Sequence, residues 1–262
     1  MLGRPVIRFD AVASTMDVLA DLAALGAPEG TIVIADYQSA GRGRSGREWT
    51  APPRTSLLYS ILLRPELPIR QLTPLSLLVA DAIVATLGEC HGVQAEIKWP
   101  NDVLIKGKKV SGVLAQVKSQ VDGKVTILGV GVNANILTAD LPSNATSLLV
   151  ELGEPVDHNA LMWRFLNELE SRYQDLLSSR IEQRWLAIRN TLAMLGDSVT
   201  VKERHADIHG ILQGIDDEGA LLLDQGGVIR RVVAGDLTRG PRPDEPPDAE
   251  TATSLPRILP RG

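Results

Sequence analysis

A segment rich in glycine and arginine, residues 37–49 with the sequence YQSAGRGRSGREW, most restricts what this chain can fold into. Three glycines and three arginines fall within residues 41–47, shortly after the β-branched run that begins at Thr31. Glycine admits backbone conformations that other residues avoid, and arginine supplies planar donors that are always charged. Such a segment cannot bury its charges and loses much conformational entropy on ordering. We interpret it as a loop that closes over an anion, with a solvated surface hairpin as the alternative.

The same segment contains the string G-x-G-x-x-G at Gly41, Gly43 and Gly46, which raises the question of a dinucleotide-binding fold. That fold requires the third glycine to lie in a helix whose N-terminus meets the pyrophosphate. Two successive prolines, Pro52 and Pro53, exclude a helix of useful length here. A Walker A loop is also excluded, because no Gly-Lys-Ser/Thr sequence follows the glycines.

The composition is that of a globular protein with a packed core, since 44% of the 262 residues are hydrophobic. A net charge of −5 argues against a general nucleic-acid binder, whose footprint is basic. The single cysteine, Cys90, excludes an internal disulfide and fits a reducing compartment. We find no apolar run of about 18 residues and no basic leader before an apolar stretch. These features predict a cytoplasmic protein that has no membrane segment.

Hydrophobic periodicity and turn residues divide the chain into two patterns. Up to about residue 195 strands and helices are interspersed, with strands at residues 5–9, 31–37, 56–63, 95–99, 110–118 and 125–130 and helices at residues 14–25, 72–87, 157–177 and 181–192. After Gly196, four or five short strands separated by turn residues predict a small barrel. Residues 241–262 contain six of the sixteen prolines, which predicts a disordered tail.

A second polar stretch, KWPND, begins at Lys98 and gathers a cation, an aromatic ring, an amide and a carboxylate around one proline. It is followed by a short strand, a tight turn and a return strand. A hairpin of matched strands would bring Lys109 back beside Lys98, so that two ammonium groups and the Asp102 carboxylate meet at one sheet end. Ordinary turn lysines are the alternative, which we accept for Lys106 and Lys108. For Lys109 both interpretations stand.

Two further features indicate a ligand. Glycines inside the strand sequence GVGVNAN, residues 129–135, suggest that another group approaches the backbone closely, and Asn133 is either a ligand amide or a turn residue. Ser14 and Thr15 lie at a strand-to-helix junction. There they can cap the helix, offer hydroxyl and N–H groups to a polar ligand, or do both.

With these stretches placed, the sequence closely resembles the biotin protein ligase family. The match rests on YQSAGRGRSGREW, KWPNDVLIKGKKVSGVL and GVGVNAN, in this order, and runs over most of residues 9–240. The resemblance implies an α+β fold, with a class II synthetase-like mixed sheet flanked by helices over residues 1–195. It implies an SH3-like C-terminal β-barrel over residues 196–240, followed by the tail of residues 241–262.

The resemblance also implies the chemistry. Family members join biotin and ATP into biotinyl-5′-AMP and then transfer biotin to one lysine of a biotin carboxyl carrier protein, such as that of acetyl-CoA carboxylase, and Mg²⁺ accompanies ATP. The implied catalytic residues are Lys109, Arg42, Lys98 and Asp102. The implied biotin-binding residues are Ser14, Thr15, Gln38, Arg42, Gly43, Arg44, Trp99 and Lys109. The implied ATP-binding residues are Arg44, Arg47, Lys98, Asn101 and Asn133, and Asp102 is the implied metal ligand.

Two features depart from the family pattern. Met16 stands where the family often has asparagine, so a side-chain amide contact is missing. The Ser-Thr pair begins at Ser14, which leaves no room for a winged-helix domain of roughly 60 residues, so we expect a ligase without a DNA-binding repressor role. The competing hypotheses are a lipoate or octanoate ligase of the same fold, and a non-catalytic anion- or RNA-binding module that uses the arginine-glycine loop.

Overall fold

The computed structural model describes residues 2–66, 72–120, 123–178, 180–203 and 206–240. The predicted disordered tail lies outside the described residues. The strands are β1 Val6–Phe9, β2 Ile32–Ala35, β3 Ser56–Leu63, β4 Glu96–Lys98, β5 Asp102–Ile105, β6 Lys108–Gln120, β7 Gly123–Asn133, β8 Ser198–Lys202, β9 Asp207–Ile215, β10 Leu221–Asp224, β11 Ile229–Val232 and β12 Asp236–Arg239. The helices are α1 Thr15–Ala24, α2 Leu72–His91, α3 Leu148–Leu152, α4 His158–Leu177 and α5 Glu182–Asn190.

The first seven strands form one mixed sheet in the order β1-β2-β3-β7-β6-β5-β4. Strands β1 and β2 pair in parallel, and the other neighbours pair in antiparallel fashion. The register places Gly112 of β6 opposite Gly131 of β7, and Gly129 of β7 opposite Ser60 of β3. The predicted mixed sheet is confirmed, and two pairs of small residues lie side by side near its centre.

Helices cover both faces of this sheet, because side chains alternate between the faces along each strand. In β3, Tyr59 and Ile61 belong to a large core together with α2 and α4. The next residue, Leu62, belongs to a smaller core on the other face, which includes Met16 and Leu19 of α1. Among the described helices, α1 is the one that packs in this smaller core.

Helix α2 corrects two predictions. The window Pro74–His91 has a mean hydropathy of 1.2 and is long enough to cross a membrane, contrary to the expectation that no such apolar run exists. It is 61% buried inside the protein, which is typical of a core helix. The helix also continues beyond the predicted range of residues 72–87, through Gly88 as far as His91. The following Gly92 takes the left-handed conformation (φ +63°) that ends helices.

The strands after Gly196 form a separate antiparallel sheet in the order β11-β10-β9-β8-β12. This sheet confirms the predicted change of pattern. The indole of Trp99 donates a hydrogen bond to the Gly219 carbonyl (2.9 Å), and Arg189 of α5 donates to the Ile215 carbonyl (2.9 Å). The two sheets share one continuous hydrophobic core. The boundary at residues 195 and 196 stays a prediction.

Candidate active site

A cleft of about 190 Å³ lies above the small residues of β6 and β7. Strands β3, β6 and β7 form its floor, the start of α1 closes one end, and β12 of the C-terminal sheet borders the other side. The cleft is lined by these predicted residues: Ser14, Thr15, Gln38, Arg42, Gly43, Arg44, Arg47, Lys98, Trp99, Asn101, Asp102 and Lys109. Of the predicted site residues, Asn133 does not line the cleft. The fold thus brings together segments that lie almost 100 residues apart in the sequence.

Residues 41–49, which we call the flap, form a small hairpin over this cleft. Arg42 and Glu48 form an isolated antiparallel bridge, and the Gly43 N–H donates to the Arg47 carbonyl at 2.7 Å. A 3₁₀ turn, Arg44–Gly46, makes the tip, where Ser45 takes a left-handed conformation (φ +55°). The glycine-rich sequence therefore builds an ordered cover with three arginine side chains.

Each flap arginine contacts an acceptor supplied by the protein. Arg42 binds the Asp17 carboxylate of α1 at 2.5 and 2.6 Å. Arg47 binds the Asp236 carboxylate of β12 at 2.8 and 2.9 Å. Arg44 donates to the Asn101 side-chain oxygen at 3.1 Å. Acceptors from three different parts of the chain thus hold the flap closed.

Arg44 is the most enclosed of the three arginines. It lies 3.7 Å from Asp236 and also contacts the Gly235 carbonyl at 3.4 Å. Burial lowers the pKa of its guanidinium, and the nearby carboxylates of Asp236 and Asp102 offset this only in part. A further anion beside Arg44 would therefore stabilise its charge.

Trp49 explains the glycines in the strands. A Cβ added to Gly131 would stand 2.5 Å from the Trp49 indole, and a Cβ added to Gly112 would stand 3.0 Å from it. The prediction of a close approach to the backbone is confirmed: at Gly131 the approaching group is the indole of Trp49, which ends the flap, and at Gly129 it is the Met16 side chain. Trp49 was not among the predicted site residues, although it closes the motif. Its buried indole N–H has no hydrogen-bond partner among the described residues.

Lys109 lies beneath this indole, with its ammonium 5.5 Å from the ring centroid and 2.7 Å from an Asp102 carboxylate oxygen. The sequence predicted that Lys109 returns beside Lys98. In the structure the backbone of Lys109 pairs instead with Leu104 of β5, and the long side chain of Lys109 reaches Asp102. Lys98 pairs directly with Asp102 across β4 and β5. The predicted meeting of Lys109 with Asp102 is confirmed, and Lys98 lines the same cleft; a contact of its ammonium with the other two groups stays a prediction.

Two predicted residues face away from the cleft in part or in whole. The Trp99 side chain is 1% exposed and its N–H donates to the Gly219 carbonyl of the C-terminal sheet, although the residue also lines the cleft. Asn133 is buried behind Lys109 and donates to the Thr146 carbonyl at 3.0 Å. A contact of Asn133 with ATP stays a prediction, and the observed position suits support of the Lys109 backbone.

The closed end of the cleft contains hydroxyl and amide groups. Ser14 caps α1 by accepting from the Met16 N–H at 3.3 Å. Thr15 donates to the Gln38 side-chain oxygen through its N–H at 2.8 Å and its hydroxyl at 3.0 Å. The Thr15 hydroxyl also lies 2.8 Å from that of Ser60, a residue the sequence analysis missed because it stands inside an apolar strand. The Met16 thioether fills the space above Gly129.

Asp102 is the predicted metal ligand. In the part of the chain that the structure describes, no group of three or more His, Cys, Asp or Glu side chains is arranged to hold a metal ion. Mg²⁺ is commonly held by one or two carboxylates together with the phosphates of a nucleotide. The single carboxylate of Asp102 therefore fits a magnesium ion that arrives with ATP.

Comparisons with known proteins agree with this geometry. The model of the biotin/lipoate A/B protein ligase family matches residues 8–133, and that of the biotin protein ligase C-terminal domain matches residues 194–237. The bifunctional ligase/repressor BirA of Bacillus subtilis is 35% identical over 245 residues, covering 92% of this chain and 75% of the relative. The biotin–[acetyl-CoA-carboxylase] ligase of Mycobacterium tuberculosis is 38% identical over 242 residues, covering 88% of each chain. The structure of a biotin protein ligase from Aquifex aeolicus in complex with biotin and ATP superimposes with a TM-score of 0.80 at 27% identity, covering 90% of this chain and 100% of that one.

Proposed function

The chain belongs to the biotin protein ligase family, and we propose from this premise how its cleft performs the reaction of a biotin–[acetyl-CoA-carboxylase] ligase (EC 6.3.4.15). In the first step a biotin carboxylate oxygen attacks the α-phosphorus of ATP, pyrophosphate leaves, and biotinyl-5′-AMP forms. In the second step a lysine amine of the carrier protein attacks the acyl carbon, AMP leaves, and the amine loses a proton. No protein nucleophile is needed in either step.

The main obstacle to the first step is charge, because a carboxylate and a triphosphate repel each other. Fixed cations in an enclosed cleft stabilise such a transition state better than mobile solvent does. We assign Lys109 to the biotin carboxylate and then to the phosphate ester. Arg44 is assigned to the same mixed anhydride, and Arg47 and Lys98 to the remaining phosphates.

Both lysines and the flap arginines line the same cleft as Gly112 and Gly131, the two glycines on which the Trp49 indole packs. A magnesium ion held by Asp102 would neutralise part of the triphosphate charge. Asp102 also holds the ammonium of Lys109 in the cleft while no substrate is bound. Asn101 orients Arg44, and in this proposal it also lies near the nucleotide.

We assign the biotin head group to the closed end of the cleft, beside Ser14, Thr15 and Gln38. Arg42, Gly43 and Trp99 form the walls around it. The cleft of about 190 Å³ is smaller than the roughly 300–1,000 Å³ common for ligand sites, because the flap reaches into it. The flap therefore opens to admit substrates and closes over the intermediate, which keeps water from the reactive anhydride.

We further propose where the ligase works and how its chain is organised. The ligase works in the cytoplasm on a biotin carboxyl carrier domain, with residues 1–195 as the catalytic domain and residues 196–240 as the SH3-like domain. Because β12 contacts the flap through Asp236, we propose that the second domain completes the site. Nucleic acid and membranes are not among the proposed partners.

The observation that carries the proposal is the convergence of the flap arginines and Lys109 on one cleft. Incubation of the protein with ATP and either biotin or lipoate, followed by measurement of pyrophosphate release, tests it. We expect release with biotin and a mass increase of a purified carrier domain when both biotin and ATP are present. Release with lipoate but not with biotin would identify a lipoate ligase instead.

A further inference from the structure

At the closed end of the cleft, the donor and the acceptor of each hydrogen bond between Thr15 and Gln38 are fixed by chemistry. A backbone N–H can only donate, so the Gln38 atom 2.8 Å from the Thr15 nitrogen must be the amide oxygen. The Thr15 hydroxyl also bonds to this oxygen, and since an amide oxygen can only accept, the hydroxyl must be the donor.

This direction fixes the role of Ser60. The Thr15 hydroxyl has one hydrogen, which it gives to Gln38. The Ser60 hydroxyl, 2.8 Å away and with its residue fully buried, must therefore donate to the Thr15 oxygen. The chain of donors runs from Ser60 through Thr15 to Gln38.

The consequence is a fixed polarity at the surface of the cleft. Both lone pairs of the Gln38 oxygen are occupied by Thr15, so Gln38 can offer only its NH₂ group to a ligand. This nitrogen lies at the base of the flap, 3.1 Å from the place where a Cβ at Gly41 would stand. No residue in the described parts of the chain accepts a hydrogen bond from it, so its donors are open to a ligand.

We propose that Ser60 is a positioning residue that sets substrate selectivity, by locking Thr15 and Gln38 so that this end of the cleft selects a ligand carbonyl. Ser60 does not line the cleft and acts only through Thr15. This inference rests on the proposed function, in which the carbonyl belongs to the ureido ring of biotin. Without Ser60, the Thr15 hydroxyl is free to rotate toward the ligand. The amide oxygen of Gln38 then has a free lone pair and can accept a hydrogen bond from the ligand.

The test compares Ser60→Ala with Ser111→Ala. Ser111 is an equally buried serine of the same sheet that donates to the Gly131 carbonyl at 2.7 Å and does not line the cleft. Steady-state pyrophosphate release is measured with biotin and with 2-iminobiotin, whose ring carries an imine in place of the carbonyl. For Ser60→Ala we expect the KM for biotin to rise about fivefold with kcat nearly unchanged.

The preference for biotin over 2-iminobiotin should shrink in Ser60→Ala and stay at the wild-type value in Ser111→Ala. Ser60→Cys, which keeps a weak donor, should lie between wild type and Ser60→Ala. In a Thr15→Ala background, Ser60→Ala should add no further increase in KM, because its effect passes through Thr15.

Thermal unfolding of each variant identifies any loss of fold. The inference is overturned if Ser60→Ala matches Ser111→Ala in KM and selectivity, or if the effects of Ser60→Ala and Thr15→Ala simply add. A wild-type protein that releases pyrophosphate with neither biotin nor its analogue would instead overturn the proposed function, so the two failures are distinguishable.

Discussion

The ammonium group of Lys109 lies 2.7 Å from the carboxylate of Asp102. The two residues belong to neighbouring antiparallel strands, and a register shift in β5 between Val103 and Leu104 lies between their pairing positions. The backbone of Lys109 is held separately, by its N–H bond to the Asn144 carbonyl and by the Thr146 N–H bond to its own carbonyl (both 2.9 Å). A lysine fixed at both its backbone and its charge is already placed to meet an anion.

Removal of this ammonium group should abolish most of the adenylation activity. We expect Lys109→Ala to lower kcat/KM for biotinyl-5′-AMP formation by about 10²- to 10³-fold, the usual cost of losing one group that stabilises developing charge. Pyrophosphate release with saturating ATP measures it. Lys108→Ala, one residue away and exposed to solvent, is the matched control and should retain wild-type activity. Equal activity in the two variants would remove Lys109 from the mechanism.

The contact between Trp49 and Gly131 predicts a second loss of activity. In Gly131→Ala the new Cβ would stand 2.5 Å from the indole, so the flap must lift from the floor of the cleft. Misplacement of the flap arginines should lower kcat/KM by about 100-fold. Crystallography or tryptophan fluorescence would report the displaced indole, and a variant that keeps both the activity and the flap position would contradict the argument.

Gly88→Ala provides the control for this prediction. Gly88 lies on the exposed side of α2, and its nearest neighbour would be 4.0 Å from an added Cβ. Alanine should therefore leave the activity unchanged and raise the free energy of unfolding by up to about 1 kcal/mol, because it favours the helix.

The sequence predicts the architecture because the fold depends on local patterns. The nearly continuous apolar run of residues 56–63 and the capping serine at Ser14 predict β3 and α1 almost to the residue. The glycines of β7 predict a close approach, but not that Trp49 makes it. Sequence patterns do not show which residues from distant parts of the chain come into contact. The contact of Ser60 with Thr15 therefore could not be predicted.

The carboxylates that bind the flap arginines could not be predicted either, because they are distant from the flap in the sequence. The arginines at positions 42, 44 and 47 are recognisable in the sequence as a cluster of cations. Asp17 and Asp236 lie far from them in the chain, and no sequence pattern distinguishes these two carboxylates from others. The position of Asn133 behind Lys109 also depends on the 144–146 loop, which only the folded chain brings near.

The ion pair between Arg47 and Asp236 predicts an effect on ATP binding. If Arg47 binds the triphosphate, Asp236 competes for it, so Asp236→Asn should lower the KM for ATP several-fold at low salt, and less at high salt. Both side chains are partly exposed, so stability should change by less than about 1 kcal/mol. Kinetics at two ionic strengths measure this, and a higher KM would show instead that Asp236 positions Arg47 for ATP.

Asp197→Asn is the matched control for this prediction. Asp197 binds Arg239 at 2.5 Å in another exposed ion pair at the edge of the same sheet, and neither residue lines the cleft. The KM for ATP should therefore stay at the wild-type value in this variant.

His158, at the start of α4, should make the stability of the protein depend on pH. The Val156 N–H donates to the Asn135 side-chain oxygen at 2.9 Å, which fixes the orientation of that amide. The amide nitrogen of Asn135 then lies 3.1 Å from the imidazole Nε2 of His158 and can only donate to it. The accepting nitrogen must be unprotonated, so this contact favours the neutral ring.

Burial lowers the pKa of His158 below its ordinary value of 6.5, and the nearby carboxylates of Asp157 and Asp36 offset this only in part. Between the folded-state pKa and 6.5 the unfolded chain binds more protons than the folded chain, so stability rises with pH. The contribution is complete above about pH 6.5 and is lost as the pH falls through that interval. Thermal unfolding between pH 5 and pH 7.5 should show a smaller decrease on acidification in His158→Gln than in wild type. His91→Gln, which changes a histidine at the end of α2, should keep the wild-type decrease, and an unchanged profile in His158→Gln would disprove this assignment.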